Sequence, residues 1–285
     1  MKTHDGNMKG KICMVTGATS GIGLATAKEV AGQGATVIIT ARTAEKGEST
    51  VARLKRETGN QSVELLIADL SIQAQIRNLA QEFQNRYSRL DVLVNNAGAI
   101  FLKRQLSKEG VELTFATNYV NYFLLTNLLL DTLKASAPSR IVNVSSDMQK
   151  NAKINFDDLQ AEHKYSSFGA YGQSKLAIIL FTYELARRLE GTQVTVNAVH
   201  PGFAASNIGK NNGWLGKIIA PMLKPFAISS TKAAETSIYL AASPEVEGIT
   251  GKYFIKKKAV PSSPITYDET AAQRLWETST QMTGM

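Results

Sequence analysis

The sequence predicts one α/β domain built on a doubly wound parallel sheet with helices on both of its faces. Short runs of β-branched and apolar residues alternate with helix-like segments along most of the 285 residues. Runs such as Val92-Leu93-Val94 are apolar at every position, which is typical of a strand that helices cover on both faces. No internal repeat or low-complexity linker divides the chain, so we expect a single domain over residues 1–285.

The elements follow from local patterns along the chain. Strands are expected where β-branched and apolar residues cluster, at Ile12–Val15, Thr36–Thr40, Ser62–Ile67, Val92–Val94, Arg140–Val144, Gln193–Val199 and Tyr253–Ile255. Helices are expected between them, at residues 22–33, 44–57, 72–87, 113–134, 171–190 and 230–242. A polar, loop-like insert at 147–170 and an apolar flap at 203–229 break the alternation. We place the core at residues 9–255 and a C-terminal extension at 256–285.

Charge and cysteine content narrow the class of protein. The net charge is +8, yet Lys and Arg are scattered without a basic stripe of interleaved aromatic residues, so nucleic-acid binding is not expected. Cys13 is the single cysteine, which excludes an internal disulfide and fits a reducing, cytoplasmic setting. Met1–Lys11 is short and polar, and no apolar run reaches about 18 residues, so neither a signal peptide nor a membrane span is expected. The few His and Cys residues lack metal-ligand spacing, so no metal site is expected.

A glycine-rich segment follows the first strand directly. Ile12–Val15 runs into Thr16-Gly17-Ala18-Thr19-Ser20-Gly21-Ile22-Gly23, after which a helical pattern begins. Glycines here permit a tight turn and close approach of a pyrophosphate, and the start of the helix offers unpaired N–H groups to phosphates. A glycine turn without a ligand is the alternative, but the order strand, turn and helix favours a Rossmann-type dinucleotide site. The expected contacts are Gly17, Thr19, Ser20, Gly21, Ile22 and Gly23.

The residues after the second strand predict which dinucleotide binds. NAD sites usually place an acidic residue here for the ribose 2′-hydroxyl, whereas arginine suits the 2′-phosphate of NADP. Arg42 ends this segment and Lys46 follows it, which favours NADP(H) over NAD; the alternative is a solvated loop arginine. Asp69 and Leu70 follow the third strand, where Asp69 either caps a helix or hydrogen-bonds the adenine.

Tyr171 and Lys175 are four residues apart in an expected helix, so they share one face. An ammonium group near a phenol favours the phenolate, and we therefore expect the pKa of Tyr171 to fall from about 10 towards neutral. A tyrosine tuned in this way can exchange a proton with a carbonyl or alcohol oxygen. Tyr253 and Lys257 have the same spacing, but we expect them in a strand, which would separate them by about 13 Å.

Six motifs occur in one order along the chain. They are Thr16-Gly17-x-x-x-Gly21-Ile22-Gly23, Asn95-Asn96-Ala97-Gly98, Asn118, Ser145-Ser146, Tyr171-x-x-x-Lys175 and Pro201-Gly202. Together they resemble the short-chain dehydrogenase/reductase family, and the resemblance covers roughly residues 9–255. Within the family the chain looks most like the retinol-dehydrogenase-like branch. That likeness rests on Ile141-Val142-Asn143-Val144-Ser145-Ser146, the long gap before Tyr171, Ser174-Lys175-Leu176-Ala177 and Val199-His200-Pro201-Gly202.

The resemblance implies an enzyme that transfers hydride between NADP(H) and an alcohol or carbonyl substrate. Tyr171 would be the general acid in reduction, and Lys175 would lower the pKa of Tyr171 and hold the nicotinamide ribose. Ser146 would hydrogen-bond the reacting oxygen, and Asn118 would hold a water that links Lys175 to solvent. Structural roles are the alternatives: Ser145 and Ser146 closing a strand and capping the next turn, and Asn118 making a buried hydrogen bond.

The same resemblance adds cofactor contacts away from the glycine turn. Small residues after the fourth strand let the backbone pass near the adenosine, and Asn96 is expected to touch the cofactor. Ser206 would hydrogen-bond the nicotinamide carboxamide in place of a threonine, whereas His200 is expected to be structural. The full set of these contacts is Asn96, Ala97, Gly98, Tyr171, Lys175, Pro201, Gly202 and Ser206.

The apolar flap at 203–229 and the family resemblance together indicate the chemical class of the substrate. Apolar residues recur in it at three- and four-residue steps, at Leu215, Ile218, Ile219, Met222, Leu223 and Phe226. This predicts an amphipathic helix that either packs on its own domain or roofs the pocket. Because the resembled branch handles retinoids, steroids and other lipophilic carbonyls, we expect a bulky or apolar aldehyde or ketone. Lys210, Lys217 and Lys224 are compatible with peripheral contact at an anionic membrane surface.

Subunit pairing and two other functions complete the expectations. Helices 113–134 and 171–190 form the usual pairing surface in the resembled family, so a homodimer or homotetramer is expected, with residues 256–285 reaching over a neighbour. A dinucleotide-binding regulator without catalysis is one alternative function. An NADPH-linked C=C reductase on the same fold is the other.

Overall fold

One sheet organises the part of the chain that the structure, a computed structural model, describes: residues 8–202 and 228–285. Its strands there are β1 (Ile12–Val15), β2 (Thr36–Ala41), β3 (Val63–Ile67), β4 (Val92–Asn95), β5 (Ser139–Val144), β6 (Val194–His200), β7 (Tyr253–Ile255) and β8 (Lys258–Val260). Their order is β3-β2-β1-β4-β5-β6-β7-β8. Neighbours from β3 to β7 run parallel, and β8 returns antiparallel to β7. The predicted doubly wound parallel sheet is confirmed, with one antiparallel edge strand added.

Helices cover both faces of this sheet. In the described residues they are α1 (Gly21–Gly32), α2 (Ala44–Thr58), α3 (Gln73–Arg86), α4 (Leu113–Phe115), α5 (Asn121–Leu128), α6 (Leu130–Ala135), α7 (Ser167–Arg188), α8 (Ser230–Ala242) and α9 (Glu269–Thr283). Successive residues of β1 belong to different cores: Met14 lies in the cluster that includes Phe123 of α5, whereas Val15 lies in the cluster that includes Val30 of α1 and Leu240 of α8. Burial on both faces is therefore the reason that the strands are apolar throughout.

The strand order reverses at β1, because the chain continues to β2 and β3 on one side and returns to β4 on the other. In sheets of this kind, ligands bind outside the carboxyl ends of the strands at such a switch point. The segments that leave this edge are Thr16–Gly23 after β1 and Asn96–Gly98 after β4. The fold thus brings the two small-residue motifs of the sequence to one crevice.

The segment that we predicted as one helix at 113–134 is interrupted. Three residues of α4 lead into a π-helical turn, Ala116–Val120, before α5 begins at Asn121. The carboxylate of Glu112 caps the start of α4 by accepting the backbone N–H groups of Thr114 and Phe115, at 2.9 and 2.8 Å. Single π turns within α-helices frequently mark functional sites. This one carries Asn118.

Tyr171 lies further inside its helix than the sequence predicted. α7 begins at Ser167, where the Ser166 hydroxyl accepts the N–H of Gly169 at 3.3 Å, so the insert at 147–170 ends in the first turn of this helix. A 3₁₀ turn, Asp147–Asn151, occupies the start of the same insert. The insert is therefore partly helical at both ends.

The C-terminal residues fold onto their own domain. β8 pairs with β7 through a hairpin, and Ala272 and Leu275 of α9 belong to the larger core on the α7 side of the sheet. Lys257 lies in the hairpin turn with φ +64°, not in a strand. Tyr253 lies in a strand as expected, but the expected strand position of Lys257 was wrong, because β7 ends at Ile255.

The predicted flap lies outside the described residues, apart from Ile228 and Ser229. Its expected amphipathic helix, Ser206, and the lysines Lys210, Lys217 and Lys224 therefore stay predictions. In residues 8–202 and 228–285, no helix is both long enough and apolar enough to cross a membrane.

Candidate active site

The turn after β1 requires glycine at Gly17. Its backbone has φ +64°, a region that other residues rarely adopt, and a Cβ here would lie 2.8 Å from Cα of Ala97. The N–H of Gly17 donates to the Thr40 hydroxyl at 3.2 Å, which ties the turn to the end of β2. The glycine therefore lets the chain pass between the ends of β2 and β4.

Asn96 holds this turn from the neighbouring strand. Its side-chain amide donates to the carbonyl of Thr16 at 2.8 Å and of Gly17 at 3.4 Å. The Thr16 hydroxyl accepts the N–H groups of Asn96 and Ala97 at 2.9 and 3.0 Å. A Cβ at Gly23 would collide with the same Asn96 amide. The structure gives Asn96 a scaffold role, and the sequence did not reveal the parts played by Thr16 and Thr40.

The first turn of α1 suits a phosphate group. Ser20 precedes the helix in an extended conformation, and its hydroxyl makes no capping hydrogen bond. The N–H groups of the first helical turn, Gly21, Ile22 and Gly23, have no partners within the helix. Unpaired donors and the positive end of the helix dipole favour an anion at this point. Thr19 and Ser20 are half-buried beside it.

The residues predicted to contact the adenosine end of the cofactor lie on the edge of the sheet that carries the glycine turn. Arg42 follows the last residue of β2 and is exposed, and Lys46 is exposed in the first turn of α2. Leu70 is buried in the core, so a cofactor contact there would use its backbone. Asp69 accepts the N–H and hydroxyl of Ser71 at 3.0 and 2.7 Å. The prediction that Asp69 caps a helix was wrong. α3 begins at Gln73, and the Asp69 carboxylate closes the turn before that helix.

Three of the predicted catalytic side chains meet at the carboxyl end of β5. Tyr171 is half-buried, and Ser146 lies close enough to its hydroxyl to lower the pKa of that phenol. Lys175 is buried one turn further along α7, where its ammonium group donates to the Val144 carbonyl at 2.9 Å. The same Nζ lies 5.5 Å from the centroid of the Tyr171 ring. The structure thus brings Ser146, Tyr171 and Lys175 together.

Burial dominates the protonation of this pair. Desolvation raises the pKa of Tyr171 to about 12, opposed by the nearby Ser146 side chain, and desolvation lowers the pKa of Lys175 to about 7. The prediction that Lys175 brings the pKa of Tyr171 towards neutral was wrong for the protein alone. The physical reason is that the ammonium group binds Val144 and faces the ring of Tyr171, while both groups lose hydration.

Asn118 is fully buried and its side chain is hydrogen-bonded to protein. Its Oδ1 accepts the N–H of Ala99 at 2.7 Å, and its Nδ2 donates to the Ala99 carbonyl and the Ser174 hydroxyl, both at 2.9 Å. A Cβ at Gly98 would lie 3.1 Å from Asn118 Oδ1 and 3.6 Å from Lys175 Nζ. Asn118 therefore joins the loop after β4 to the helix that carries Lys175, which supports the structural role that we weighed for it.

Residues 201–202 complete the described part of this edge. Gly202 follows β6 with φ +88°, and a Cβ there would lie 2.8 Å from Cδ1 of Ile228. Pro201 and Gly202 are both half-buried. They lead directly into the segment that the structure does not describe, which includes Ser206.

Sequence reasoning missed a polar network beneath the site. Asn95 donates to Thr126 and to Asn143, both at 2.9 Å, and Asn143 donates to Thr182 at 3.0 Å. All four side chains are buried, so the network joins β4 and β5 to α5 and α7 below Lys175. Tyr122 was also missed; its ring centroid lies 5.9 Å from Lys175 Nζ. Polar residues inside otherwise apolar strands and helices were the available signal.

Two other features are separate from this site. A cavity of about 1120 Å³ opens at the opposite edge of the sheet, where Ser139 and Val194 begin β5 and β6. None of the predicted site residues lines it, and ligands of doubly wound sheets bind at the carboxyl edge. Over the described ranges, no group of three His, Cys, Asp or Glu side chains is placed to hold a metal ion.

Comparison with known proteins gives consistent matches. A family model described as short chain dehydrogenase matches residues 11–213. Human retinol dehydrogenase 14 is 43% identical over 98% of this chain and 88% of its own length, and human polyprenol dehydrogenase is 41% identical over 96% and 86%. An uncharacterized protein from Mycobacterium paratuberculosis has a similar structure, with a TM-score of 0.79 and 32% identity over 97% of this chain and 94% of that one. Pseudomonas aeruginosa RhlG, in a complex with NADP, gives a TM-score of 0.69 and 30% identity over 88% and 96%.

Proposed function

The chain belongs to the short-chain dehydrogenase family, and from this membership we propose that it transfers a hydride between NADP(H) and an apolar alcohol or carbonyl substrate. One observation carries the proposal. The Ser146 side chain lies close enough to the Tyr171 hydroxyl to act on its pKa, at the carboxyl end of β5 and beside the buried ammonium group of Lys175. Two hydroxyl groups so placed can both hydrogen-bond one substrate oxygen.

The glycine turn fits a dinucleotide. A Cβ at Gly17 or Gly23 would fill the close approach between the turn and the residues after β4, and the first turn of α1 presents unpaired N–H groups for a pyrophosphate. Gly98 leaves the same kind of space next to Lys175 Nζ. When bound, the nicotinamide supplies or accepts the hydride at the substrate carbon.

Tyr171 would exchange the matching proton. Its raised pKa keeps the phenol protonated at neutral pH, so in reduction it can donate that proton to the carbonyl oxygen as hydride reaches carbon. The Ser146 hydroxyl would donate a hydrogen bond to the same oxygen and stabilise its developing charge. Lys175, with a pKa of about 7, is a proton donor close to the phenolate that remains. In alcohol oxidation each transfer runs in reverse.

Arg42 and Lys46 support NADP(H) over NAD. Both are exposed near the end of β2, on the sheet edge that carries the glycine turn, and a guanidinium group suits the 2′-phosphate. RhlG, which is 30% identical to this chain, was solved in a complex with NADP.

Two observations support an apolar substrate. Retinol dehydrogenase 14 and polyprenol dehydrogenase are named for isoprenoid alcohols, and both are more than 40% identical to this chain. Phe168 lies one turn before Tyr171 on α7 and is 65% exposed, and Met148 lies two residues after Ser146 and is 41% exposed. Apolar side chains exposed beside the reacting hydroxyl groups favour an isoprenoid or similarly apolar aldehyde.

The test is a panel of aldehydes assayed with NADPH and NADH side by side, with retinal and farnesal as apolar members and propanal as a small one. We expect NADPH-dependent reduction of the apolar aldehydes to alcohols. Tyr171→Phe should lower kcat by about 10²–10⁴-fold while NADPH still binds, and the control Tyr87→Phe should behave as wild type. Full turnover by Tyr171→Phe would contradict the mechanism. A saturated aldehyde as product would identify a C=C reductase, and tight NADPH binding without turnover would identify a regulator.

A further inference from the structure

Asp147, the residue after the proposed substrate-polarising serine, is held from three directions. Its backbone N–H donates to Nδ1 of His200 at 3.2 Å. Its Oδ1 accepts the Tyr253 hydroxyl at 3.1 Å, and its Oδ2 pairs with Lys150 Nζ at 3.1 Å. His200 is the last residue of β6, and Tyr253 is the first residue of β7. Residues of β6 and β7 therefore hold the backbone N–H and the carboxylate of Asp147, directly after Ser146.

We propose that His200 and Tyr253 are positioning residues that fix the backbone at Asp147 and thereby direct the Ser146 hydroxyl towards the substrate oxygen. This inference rests on the proposed function, because it assumes that Ser146 polarises that oxygen. It gives a positioning role to His200, which we expected to be only structural.

The end of β5 explains why Asp147 needs its hydrogen bonds with His200 and Tyr253, which we call the clamp. Strand pairing with β6 ends at Val144, and the last backbone contact is the N–H of Ser145 donating to Val199 at 2.8 Å. Ser146 is extended, with φ −159° and ψ 156°, and its hydroxyl also accepts the N–H of Met148 at 3.3 Å. The chain then leaves the sheet in the 3₁₀ turn. The contacts of Asp147 replace the sheet ladder at the residue where the direction of the Ser146 side chain is set.

The bond to His200 requires a neutral imidazole. Because Nδ1 accepts a hydrogen bond, the ring proton must lie on Nε2. Burial lowers the pKa of His200; the Asp147 carboxylate opposes this shift and Lys150 adds to it. Tyr253 is buried beside the same carboxylate, and burial raises its pKa, so it stays a neutral donor. His200 is therefore an acceptor at neutral pH.

Protonation of His200 would break this arrangement. A proton on Nδ1 converts the acceptor into a donor that faces the Asp147 N–H, so two donors would oppose each other. Since the pKa of His200 is lowered from 6.5, this occurs only as the pH falls below that value. Loss of the clamp at acidic pH should lower kcat through Ser146 and leave NADPH binding at the glycine turn unchanged.

Two substitutions at His200 separate positioning from folding. His200→Asn keeps an acceptor oxygen close to the place of Nδ1 but does not titrate, whereas His200→Leu removes the acceptor. We expect His200→Leu to lower kcat by about 10- to 100-fold, because a displacement of about 1 Å at a reacting group costs that much, while KM for NADPH changes less than about threefold. His200→Asn should keep most of kcat and lose the acid limb of its pH profile. The control His163→Leu removes an exposed histidine and should match wild type in both measurements.

A readout that needs no turnover distinguishes this inference from the proposed function. The ¹⁵N chemical shift of His200 Nδ1, followed from about pH 5 to about pH 9, reports whether that atom is an unprotonated acceptor in wild type and in Tyr253→Phe. An acceptor signal at Nδ1 without activity on any carbonyl would contradict the proposed function. The clamp would then be a structural feature only, and its catalytic role would be overturned. Wild-type kcat in His200→Leu, or equal loss in His200→Leu and His200→Asn, would overturn the positioning role directly.

Discussion

The hydroxyl group of Tyr119 lies 2.6 Å from that of Ser279, which joins the π-helical turn carrying Asn118 to the C-terminal helix. Around this bond, the ring of Trp276 packs at 5.0 Å from Phe123 and 5.8 Å from Phe181. The guanidinium carbon of Arg188 lies over the indole ring, 4.2 Å from its centroid. α9 therefore covers part of α5 and α7, which lie in the two predicted helices that the family resemblance assigned to subunit pairing.

Removal of residues 269–285 should uncover that aromatic face. We predict that the full chain does not pair through it and that the truncated chain self-associates, because Tyr119, Phe123 and Phe181 would lie open to water. Light scattering after size exclusion measures this for both proteins. The control is Arg274→Ala, which removes a contact with Phe156 but leaves Trp276 in place. A full-length dimer that Trp276→Ala dissociates would contradict the prediction.

The strands and the glycine turn were predictable because local chemistry determines them. Strands buried on both faces are apolar throughout, and positive φ at Gly17 restricts the residue type. α9 was not predicted, because residues 269–283 lie beyond the six motifs and no motif assigns them a partner. Its place on α7 depends on Trp276 and Ser279 meeting residues about 100 or more positions away, a relation that spacing alone does not contain.

The positions of Tyr171 and Lys175 could be predicted but their protonation could not. The four-residue spacing of Tyr171 and Lys175 correctly placed both on α7. The pKa of each is set by burial beneath residues from β5 and α5, including Val144 and Tyr122. Desolvation of this kind follows from tertiary packing, so the direction of the pKa shift predicted for Tyr171 from its spacing was wrong. The same limit applies to His200, whose partner Asp147 lies in the 3₁₀ turn that follows β5.

Gly17→Ala should disrupt the cofactor turn. A Cβ there would lie 2.8 Å from Ala97 Cα, so the turn must shift away from the phosphate position. We expect the Kd for NADPH to rise by more than about tenfold, in line with the loss of one or two charge-assisted hydrogen bonds. Gly10→Ala is the matched control, because Gly10 also has a positive φ but its Cβ would contact nothing within 4 Å. It should cost about 1 kcal/mol of stability and leave the Kd for NADPH unchanged.

Arg42→Asp should shift the preference from NADPH towards NADH. The substitution removes the guanidinium group proposed for the 2′-phosphate and adds a carboxylate that can accept the ribose hydroxyl. We expect kcat/KM for NADPH to fall by about 10- to 100-fold, the value of a hydrogen bond to a charged group. Arg56→Asp changes the net charge equally in the last turn of α2, the helix that follows Arg42, and should leave the ratio unchanged. An unaltered NADPH/NADH ratio in Arg42→Asp would show that the preference lies elsewhere.

Lys175→Met should stabilise the protein while abolishing turnover. Burial lowers the pKa of Lys175 from 10.5 to about 7, so the unfolded chain binds more protons between those values and stability rises with pH across that window. At pH 7 the fold therefore carries a cost for this lysine on the order of a few kcal/mol, offset in part by its bond to Val144. Thermal unfolding without cofactor should give a higher Tm for Lys175→Met at pH 7, and the gap should narrow towards pH 10. Lys232→Met, at an exposed lysine of α8, should show no such gap. A variant less stable than wild type at pH 7 would mean that the contacts of the ammonium group outweigh its desolvation.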